Sequence, residues 1–383
     1  MKILHLLSNW KWTAVSEPAV DLAIAQKALG AEALFVCGKS PEGHKYDVLF
    51  HSRQKGLNHV DAINLPKHLQ IHTAIQDARK LRKIINNFKP DIVHSHMKNA
   101  HFLGFLARGK SKPPFSVRSC YDPQGPGNDI RSRFLNKHFT DGLVVIGKTA
   151  RQKAVETCGL PSNAILITEP GIDLDRFSPD RKITFNRKDF GLTKENFVVG
   201  VVSRIRPSRR IDIPLTAIAS LVTRFPQLRF FLVGRGNRRN YNEVVEKPLK
   251  EMGIADKVIL PGYCRDDRLV SAYQAMDVLV YPIPGTDKSC RTVREAMASG
   301  IPVIAPEIGF LKDLIENGVN GKFMDLSSES LARILSNLIK DNRQLQMMAH
   351  QSLKTAKQRF SMILQAEKIL MFYEKILNGK VQK

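Results

Sequence analysis

Two carboxylates, Asp287 and Glu295, stand eight residues apart in the stretch DKSCRTVREAMASG. The loop Gly285 to Cys290 leads into a helix-period segment, Thr292 to Ser299, and the stretch lies between two apolar runs, DVLVYPIPG and IPVIAP. A helix N-terminus presents N–H groups and the positive end of its dipole, so it favours an anion such as a diphosphate. Carboxylates beside an anion would repel it. They fit if they accept hydrogen bonds from sugar hydroxyls, and a nucleotide-sugar offers both partners. The plain alternatives are an N-cap or turn role for Asp287 and an exposed helix acid at Glu295.

Arginines cluster at two more strand ends. RIRPSRR follows FVVGVVS and holds Arg204, Arg206, Arg209 and Arg210; RGNRRN follows LRFFLVG and holds Arg235, Arg238 and Arg239. The guanidinium fork matches phosphate oxygens and stays charged. An arginine-rich turn by itself reads as solvated surface. Three successive strand ends with suitable groups favour a site. His94 and His96, alternating on the run DIVHSH, could suggest a metal pair. Alternate histidines on a buried strand more often pack or hydrogen-bond, and the sequence discloses no third ligand, so no metal is expected.

These groups need elements to hold them. Short apolar runs (KILHLLS, ALFVCG, PDIVHSH, FSVRS, GLVVIG, AILITEPG) alternate with helix-period segments such as PAVDLAIAQKALG, TAIQDARKLRKIINNF, AHFLGFLARG, IRSRFLNKHF and KTARQKAVETCG. After a polar, aperiodic stretch, DLDRFSPDRKITFNRKDFGL, a second alternation runs from NFVVGVVS to GKFMDL, and helices follow. Strands alternating with helices imply βαβ units and parallel sheets covered on both faces. The fold class expected is α/β, two doubly wound Rossmann-like domains facing a central cleft. The expected boundaries are 1–178, 190–358 and a C-terminal helix, 359–383, crossing back to the first domain. In open α/β sheets ligands bind beyond the carboxyl ends of the strands.

A chain of 383 residues, 43% hydrophobic, is long enough for two cores. Lys+Arg number 59 against 36 Asp+Glu, a net charge of +23, which points to an anionic partner: nucleic acid, a membrane surface or phosphorylated substrates. Five dispersed cysteines with no CxxC pair suit a reducing compartment. No signal-peptide pattern or membrane-spanning run is read. The expectation is a cytoplasmic protein, attached by charge to the inner face of the cytoplasmic membrane.

The second half resembles a GT-B glycosyltransferase, most similar to family 4, the retaining group. Glu295-Ala296-Met297-Ala298-Ser299-Gly300 matches that family's acidic signature, and IPVIAP and ENGVNGKF match the segments after it. GVVSRIRPSRR is similar to the family's phosphate clamp, placing Arg204 at its arginine and Arg209 at its lysine. FFLVGRGN, VILPGY, LVSAYQAMDVLVYP and PGIDLDRFSP also resemble family segments in order. MKILHLLS, DIVHSH and DGLVVIGKT match more loosely, and FSMILQAEKILMFYEKIL resembles the crossing-back helix. The chain departs from the pattern at Asp287, where the family has Glu; at Lys288-Ser289-Cys290; and at Arg210, where it has glycine. NWKWTAVSEP replaces the N-terminal Gly-Gly loop, and Tyr121 and Asp122 lie where a histidine is often found.

The resemblance implies transfer of a sugar from a nucleotide-diphosphate-sugar to an acceptor hydroxyl, with retention. Arg204 and Arg209 would stabilise the leaving diphosphate, helped by the backbone of Ser289, Cys290, Arg291 and Thr292. Glu295 would hold the ribose and Asp287 the donor sugar, with Gly234, Arg235 and Tyr263 completing the nucleotide-sugar site. Trp10, Trp12, Thr13, Tyr121 and Asp122 are the acceptor-side candidates. Trp10 and Trp12, the two tryptophans of the chain, fit either stacking on a sugar face or packing beneath a loop. No cofactor is expected. The acceptor expected is an anionic glycan or glycolipid, as in bacterial lipopolysaccharide core or other cell-envelope synthesis, because basic helices lie in the half that binds acceptor in this family. Two other classes remain: a catalytically altered relative that binds sugar nucleotide or an anionic partner without transfer, and a nucleic-acid-binding protein. No nucleic-acid motif is present, so no nucleic acid is expected. A dehydrogenase is disfavoured because Gly234-x-Gly236 is followed by Arg239 at the third glycine's place. A GT-B epimerase or phosphorylase is disfavoured by the Glu295 signature.

Overall fold

The computed structural model describes residues 1–41, 44, 47–57, 63–68, 70–109, 114–283 and 289–381. The chain forms two compact units, Met1–Gly171 with Met362–Lys383, and Ile172–Ser361. The first is built on β1 (Lys2–Leu7), β2 (Glu32–Cys37), β3 (Ile92–Ser95), β4 (Phe115–Cys120), β5 (Gly142–Val145) and β6 (Ile165–Ile167). They lie in the order β2-β1-β3-β4-β5-β6, all parallel. Both faces are covered, so successive residues of β3, β4 and β5 are buried rather than alternating between buried and exposed.

Right-handed crossovers decide which helix covers which face. Leu4, Leu6 and Val93 pack with Ala74, Leu81 and Leu103, from the helices Ile71–Phe88 and Lys98–Ala107. On the same side, Leu143 and Val145 meet Ala150 and Ala154 of the Lys148–Cys158 helix. The opposite residues Ile3, Ile92 and Val117 pack with Leu22 of the Ser16–Ala28 helix and with Ala366, Ile369 and Phe372 of the Met362–Leu377 helix. That last helix sits close on the sheet: a Cβ added at Gly142 would lie 2.6 Å from Ile376 and 2.8 Å from the Phe372 ring.

The second unit holds β7 (Phe197–Val202), β8 (Leu228–Val233), β9 (Val258–Gly262), β10 (Val278–Val280), β11 (Val303–Pro306) and β12 (Gly321–Met324). Their order is β12-β11-β10-β7-β8-β9, again parallel. The chain winds outward in one direction from β7 and in the other from β10. The carboxyl ends of β7 and β10 therefore flank a topological switch point, where such sheets bind ligands. In the first unit the reversal falls between β1 and β3.

The polar stretch 173–192 contains one 3-10 turn, Arg187–Phe190, and belongs to the second unit. It is anchored by Arg187, which donates to Asp277 at 2.6 Å and to the Ala275 and Asn196 carbonyls. Two helices carry too little apolar period to stand out in the sequence. Val48–Gln54 begins on an Asp47 side chain that accepts from the Phe50 N–H, and Asn342–Arg359 begins on Asp341. Among the described residues no helix is long and apolar enough to cross a membrane.

Candidate functional site

The ends of β7, β8 and β9 are stitched together through the backbone. Ser203 N–H donates to the Val233 carbonyl at 3.0 Å, Ile205 N–H to Arg235 at 2.9 Å, and Gly234 N–H to Gly262 at 2.9 Å. This approach requires glycine twice. A Cβ at Gly234 would lie 1.8 Å from the Ser203 carbonyl oxygen, and one at Gly236 2.5 Å from that of Ile205. The stitching fixes where the arginines emerge. Arg204 is exposed, whereas Arg209 is 8% exposed and ends a single 3-10 turn, Pro207–Arg209. Arg210 follows at φ +49°, the left-handed region that glycine prefers, and its guanidinium is held by Asp212 at 3.0 Å. The Arg235 guanidinium lies 4.5 Å from the Tyr263 ring centre and that of Arg265 4.9 Å. Gly234, Arg235 and Tyr263 thus converge on one edge, with Tyr263 half-exposed.

Across the switch point, the Arg291–Ala298 helix starts at Cys290, also left-handed at φ +53°. Ser289 and Cys290 are buried, so they can serve a ligand through their backbone rather than their side chains. Glu295 is 5% exposed, and both its oxygens are engaged. Oε1 accepts from Arg291 Nε at 2.6 Å and Oε2 from the Tyr273 hydroxyl at 2.8 Å. Burial, and then the Glu295 charge, hold the Tyr273 phenol far above its ordinary pKa, so it stays a donor. Each carboxylate oxygen keeps a second acceptor direction, which is what a pair of vicinal hydroxyls would use. Thr292, at the first turn, is half-exposed. Asp287 falls in 284–288, outside the described residues.

Two residues of this arrangement carry no sequence signal of their role. Arg294 is fully buried and donates to the Ser289 carbonyl at 3.3 Å and hydroxyl at 3.2 Å, tying the loop end to the helix. Tyr273 reaches Glu295 from the Asp266–Gln274 helix, 22 residues away in sequence.

In the first unit the acceptor-side candidates sit at the ends of β1 and β4. Trp12 packs on His51, ring centres 4.3 Å apart, with the Lys55 ammonium 5.6 Å from its ring. Trp10 lies against His44 at 4.6 Å. Thr13 shares a 2.7 Å hydrogen bond with Ser16 at the start of the Ser16–Ala28 helix. Asp122 accepts from the Gln124 N–H at 2.9 Å and shapes the turn after β4.

Tyr121 joins a buried network in which the structure supplies the third histidine that sequence spacing does not disclose. His5 on β1 stands in register with His94 on β3, and the ligating nitrogens of His5, His94 and His96 lie within 4.8 Å of one another. All are spoken for. The Gln26 carbonyl accepts from His5 Nε2 at 2.9 Å, leaving His5 Nδ1 to accept from His96 Nε2 at 2.9 Å. His96 Nδ1 in turn accepts the Tyr121 hydroxyl at 2.9 Å. On the other side the Gln26 amide donates to the Tyr373 hydroxyl at 3.5 Å, Tyr373 to His94 Nδ1, and His94 Nε2 to Ser119 at 2.8 Å. One proton per ring suffices. Burial holds His5 down to about pKa 4 and His94 and His96 well below the ordinary histidine value.

Two parallel six-stranded sheets with flanking helices match the architecture of GT-B proteins. Residues 182–355 match the family model for glycosyl transferases group 1, and residues 18–176 match that for Glycosyltransferase Family 4. The chain belongs to the GT-B glycosyltransferases of the family 4 type. It is 30% identical over 251 residues to a D-inositol 3-phosphate glycosyltransferase of Mycolicibacterium smegmatis, a match covering 61% of this chain and 56% of that relative. The chain thus spans little more than half the length of such curated relatives. The fold is similar to a Rickettsia africae glycosyltransferase (TM-score 0.83, 17% identity, 99% of each chain). It is also similar to Anabaena HepE in complex with UDP (TM-score 0.78, 20% identity, 98% of this chain and 100% of the other).

Proposed function

We propose that this chain transfers a sugar from a nucleoside-diphosphate-sugar to an acceptor hydroxyl, with retention of anomeric configuration. The observation that carries the reading is Glu295, buried and anchored by Arg291 and Tyr273 on a helix that starts at the switch point, opposite the arginine loop after β7. Glu295 accepts hydrogen bonds from the ribose. Arg204 and Arg209, with the backbone of residues 289–292, stabilise the negative charge that grows on the diphosphate as the glycosidic bond breaks. Asp287 holds the donor sugar. These groups supply the positive field themselves, so the proposed chemistry uses no metal or other cofactor. The UDP bound by the HepE neighbour agrees with a nucleotide-sugar donor. The net charge of +23 favours an anionic acceptor, a cell-envelope glycan or a glycolipid such as lipopolysaccharide core, met at the cytoplasmic side of a membrane. Trp10, Trp12, Thr13, Tyr121 and Asp122 stand on the acceptor side.

The test is a thermal-shift panel of UDP-, GDP- and ADP-sugars at fixed salt. A ligand present at a hundred times its Kd adds about 2.7 kcal/mol to folding, a shift of several degrees. One nucleotide-sugar is expected to stabilise the wild type. Glu295→Gln, which keeps the shape and the Tyr273 contact, is expected to lose most of that shift, and Glu295→Ala all of it. No shift from any nucleotide-sugar, with stabilisation by oligonucleotides instead, would overturn the reading. A second reading, binding without transfer, is favoured by Arg210 in the left-handed place where the family has glycine. It gives the same shift but no release of nucleoside diphosphate.

A further inference from the structure

The sheet face of the first unit covered by Ile71–Phe88, Lys98–Ala107, Ile130–His138 and Lys148–Cys158 presents a predominantly basic outer surface, with Glu156 exposed on the last helix and Asp129, before Ile130, paired with Lys98. Arg79, Lys80, Arg82 and Lys83 are exposed on the first of these helices. Arg131, Arg133 and Lys137 lie on the third, with Arg133 and Lys137 exposed and Arg131 half-exposed. Within the four helices the acids are Asp77, which is buried, and Glu156. The same surface exposes large apolar side chains. Ile130 is 80% exposed and Phe134, one turn later, 47%; Ile75 is 59% exposed on the first helix. Phe134 meets Phe105 edge-on at 5.5 Å, and the Arg131 guanidinium lies 5.1 Å from the Phe102 ring. The aromatic patch therefore continues onto the neighbouring helix.

We propose that this face, centred on Ile130 and Phe134, is a docking surface for an anionic lipid bilayer. Phosphate attraction explains the arginines and lysines but not an isoleucine left in water between them. A nucleic-acid groove tracks the backbone with charge and stacks bases on aromatic rings, and it has no use for aliphatic side chains at Ile75 and Ile130. At a membrane surface both features serve. Ile130 and Phe134 enter the headgroup–acyl boundary while Arg131, Arg133 and Lys137 extend to lipid phosphates. The proposal deepens the preceding reading, which places the acceptor at a membrane, and rests on it for that alone. Lipid binding and sugar transfer are measured separately, so either can fail alone.

The experiment is flotation of the full chain with phosphatidylcholine vesicles and with vesicles containing 30% phosphatidylglycerol, at low and high salt. Binding to the anionic vesicles alone, released by salt, is expected. Each basic residue contributes about fivefold at such a surface, so Arg131→Gln, Arg133→Gln and Lys137→Gln together should weaken binding roughly a hundredfold. Ile130→Ser with Phe134→Ser should weaken it at least about tenfold, since both side chains leave an apolar phase. Both variants should keep the wild-type melting temperature. Equal binding to neutral vesicles, no vesicle binding, or unchanged binding by the Ile130 and Phe134 variant would overturn the proposal. So would a duplex oligonucleotide that binds the same face with an affinity indifferent to Ile130 and Phe134.

Discussion

Arg209→Ala is expected to lower kcat by about 10²–10³-fold, the effect of removing one preorganised donor to a charge that develops in the transition state. Arg209 is the right residue to ask because its position is fixed before any ligand arrives. It closes a 3-10 turn, its N–H donates to the Arg206 carbonyl at 3.0 Å, and only 8% of it is exposed. A group held in this way spends little free energy on reorganisation, so its loss appears in kcat more than in donor affinity. Arg209→Lys keeps the charge and loses the fork, and should recover activity to within about tenfold of wild type. The assay is release of nucleoside diphosphate, with donor Kd measured in parallel by calorimetry. A loss confined to KM would mean that Arg209 binds the ground state alone, and an unchanged kcat would remove it from the proposed mechanism.

The second large effect is on stability in acid. His5, His94 and His96 are neutral in the fold, and burial is the first cause for each. The unfolded chain takes up protons near pH 6.5 that the folded chain refuses until about pH 4 at His5. Stability is therefore complete above pH 6.5 and falls as the pH drops through that window. His5 alone contributes on the order of 3 kcal/mol to the loss, and the other two add in the same direction. That is comparable with the whole stability of a small domain. Both tryptophans of the chain, Trp10 and Trp12, lie in the first unit, so their fluorescence follows the unit that holds the histidines. Urea titrations from pH 8 to 4.5 should show a midpoint that falls steeply below pH 6.5, and His5→Gln should make the slope shallower. A flat profile would mean that the network opens to water at little cost.

Which parts were legible in the sequence follows from how local each cause is. The central strands stood out as runs rich in apolar residues because a strand covered on both faces is buried on both, whereas the edge strands β9 and β12 are only partly buried. Their order is not written locally, since parallel neighbours such as β7 and β10 pair across about eighty residues. Glu295 and the arginines after β7 and β8 stood out because charge beside a buried strand end is conspicuous. Arg294 did not. It is one residue from Glu295, and only the packed rotation of the helix decides that it faces inward. Tyr273 and His5 were hidden for the same reason, since their partners are 22 and 91 residues away. The alternation of His94 and His96 was visible, but the register that sets His5 beside them was not. The neighbours of Trp12, namely His51, Lys55 and the apolar cluster near β2, were likewise not legible, because the fold alone brings them to its ring.

The Met362–Leu377 helix carries a consequence for synthesis. It completes the first sheet's core with Ile369, Phe372 and Ile376, and its Tyr373 closes the histidine network to Gln26, 347 residues earlier. A ribosome delivers all of Ile172–Ser361 before that helix emerges. The second unit can therefore mature on the nascent chain while one apolar face of the first still waits for its cover, the reverse of the usual N-terminal-first order. Chains held on the ribosome by an unstructured linker appended after residue 361, long enough to clear the exit tunnel, should show protease resistance in the second unit and cleavage in the first. Equal resistance in both would mean that the early sheet shields its face by other means until translation ends.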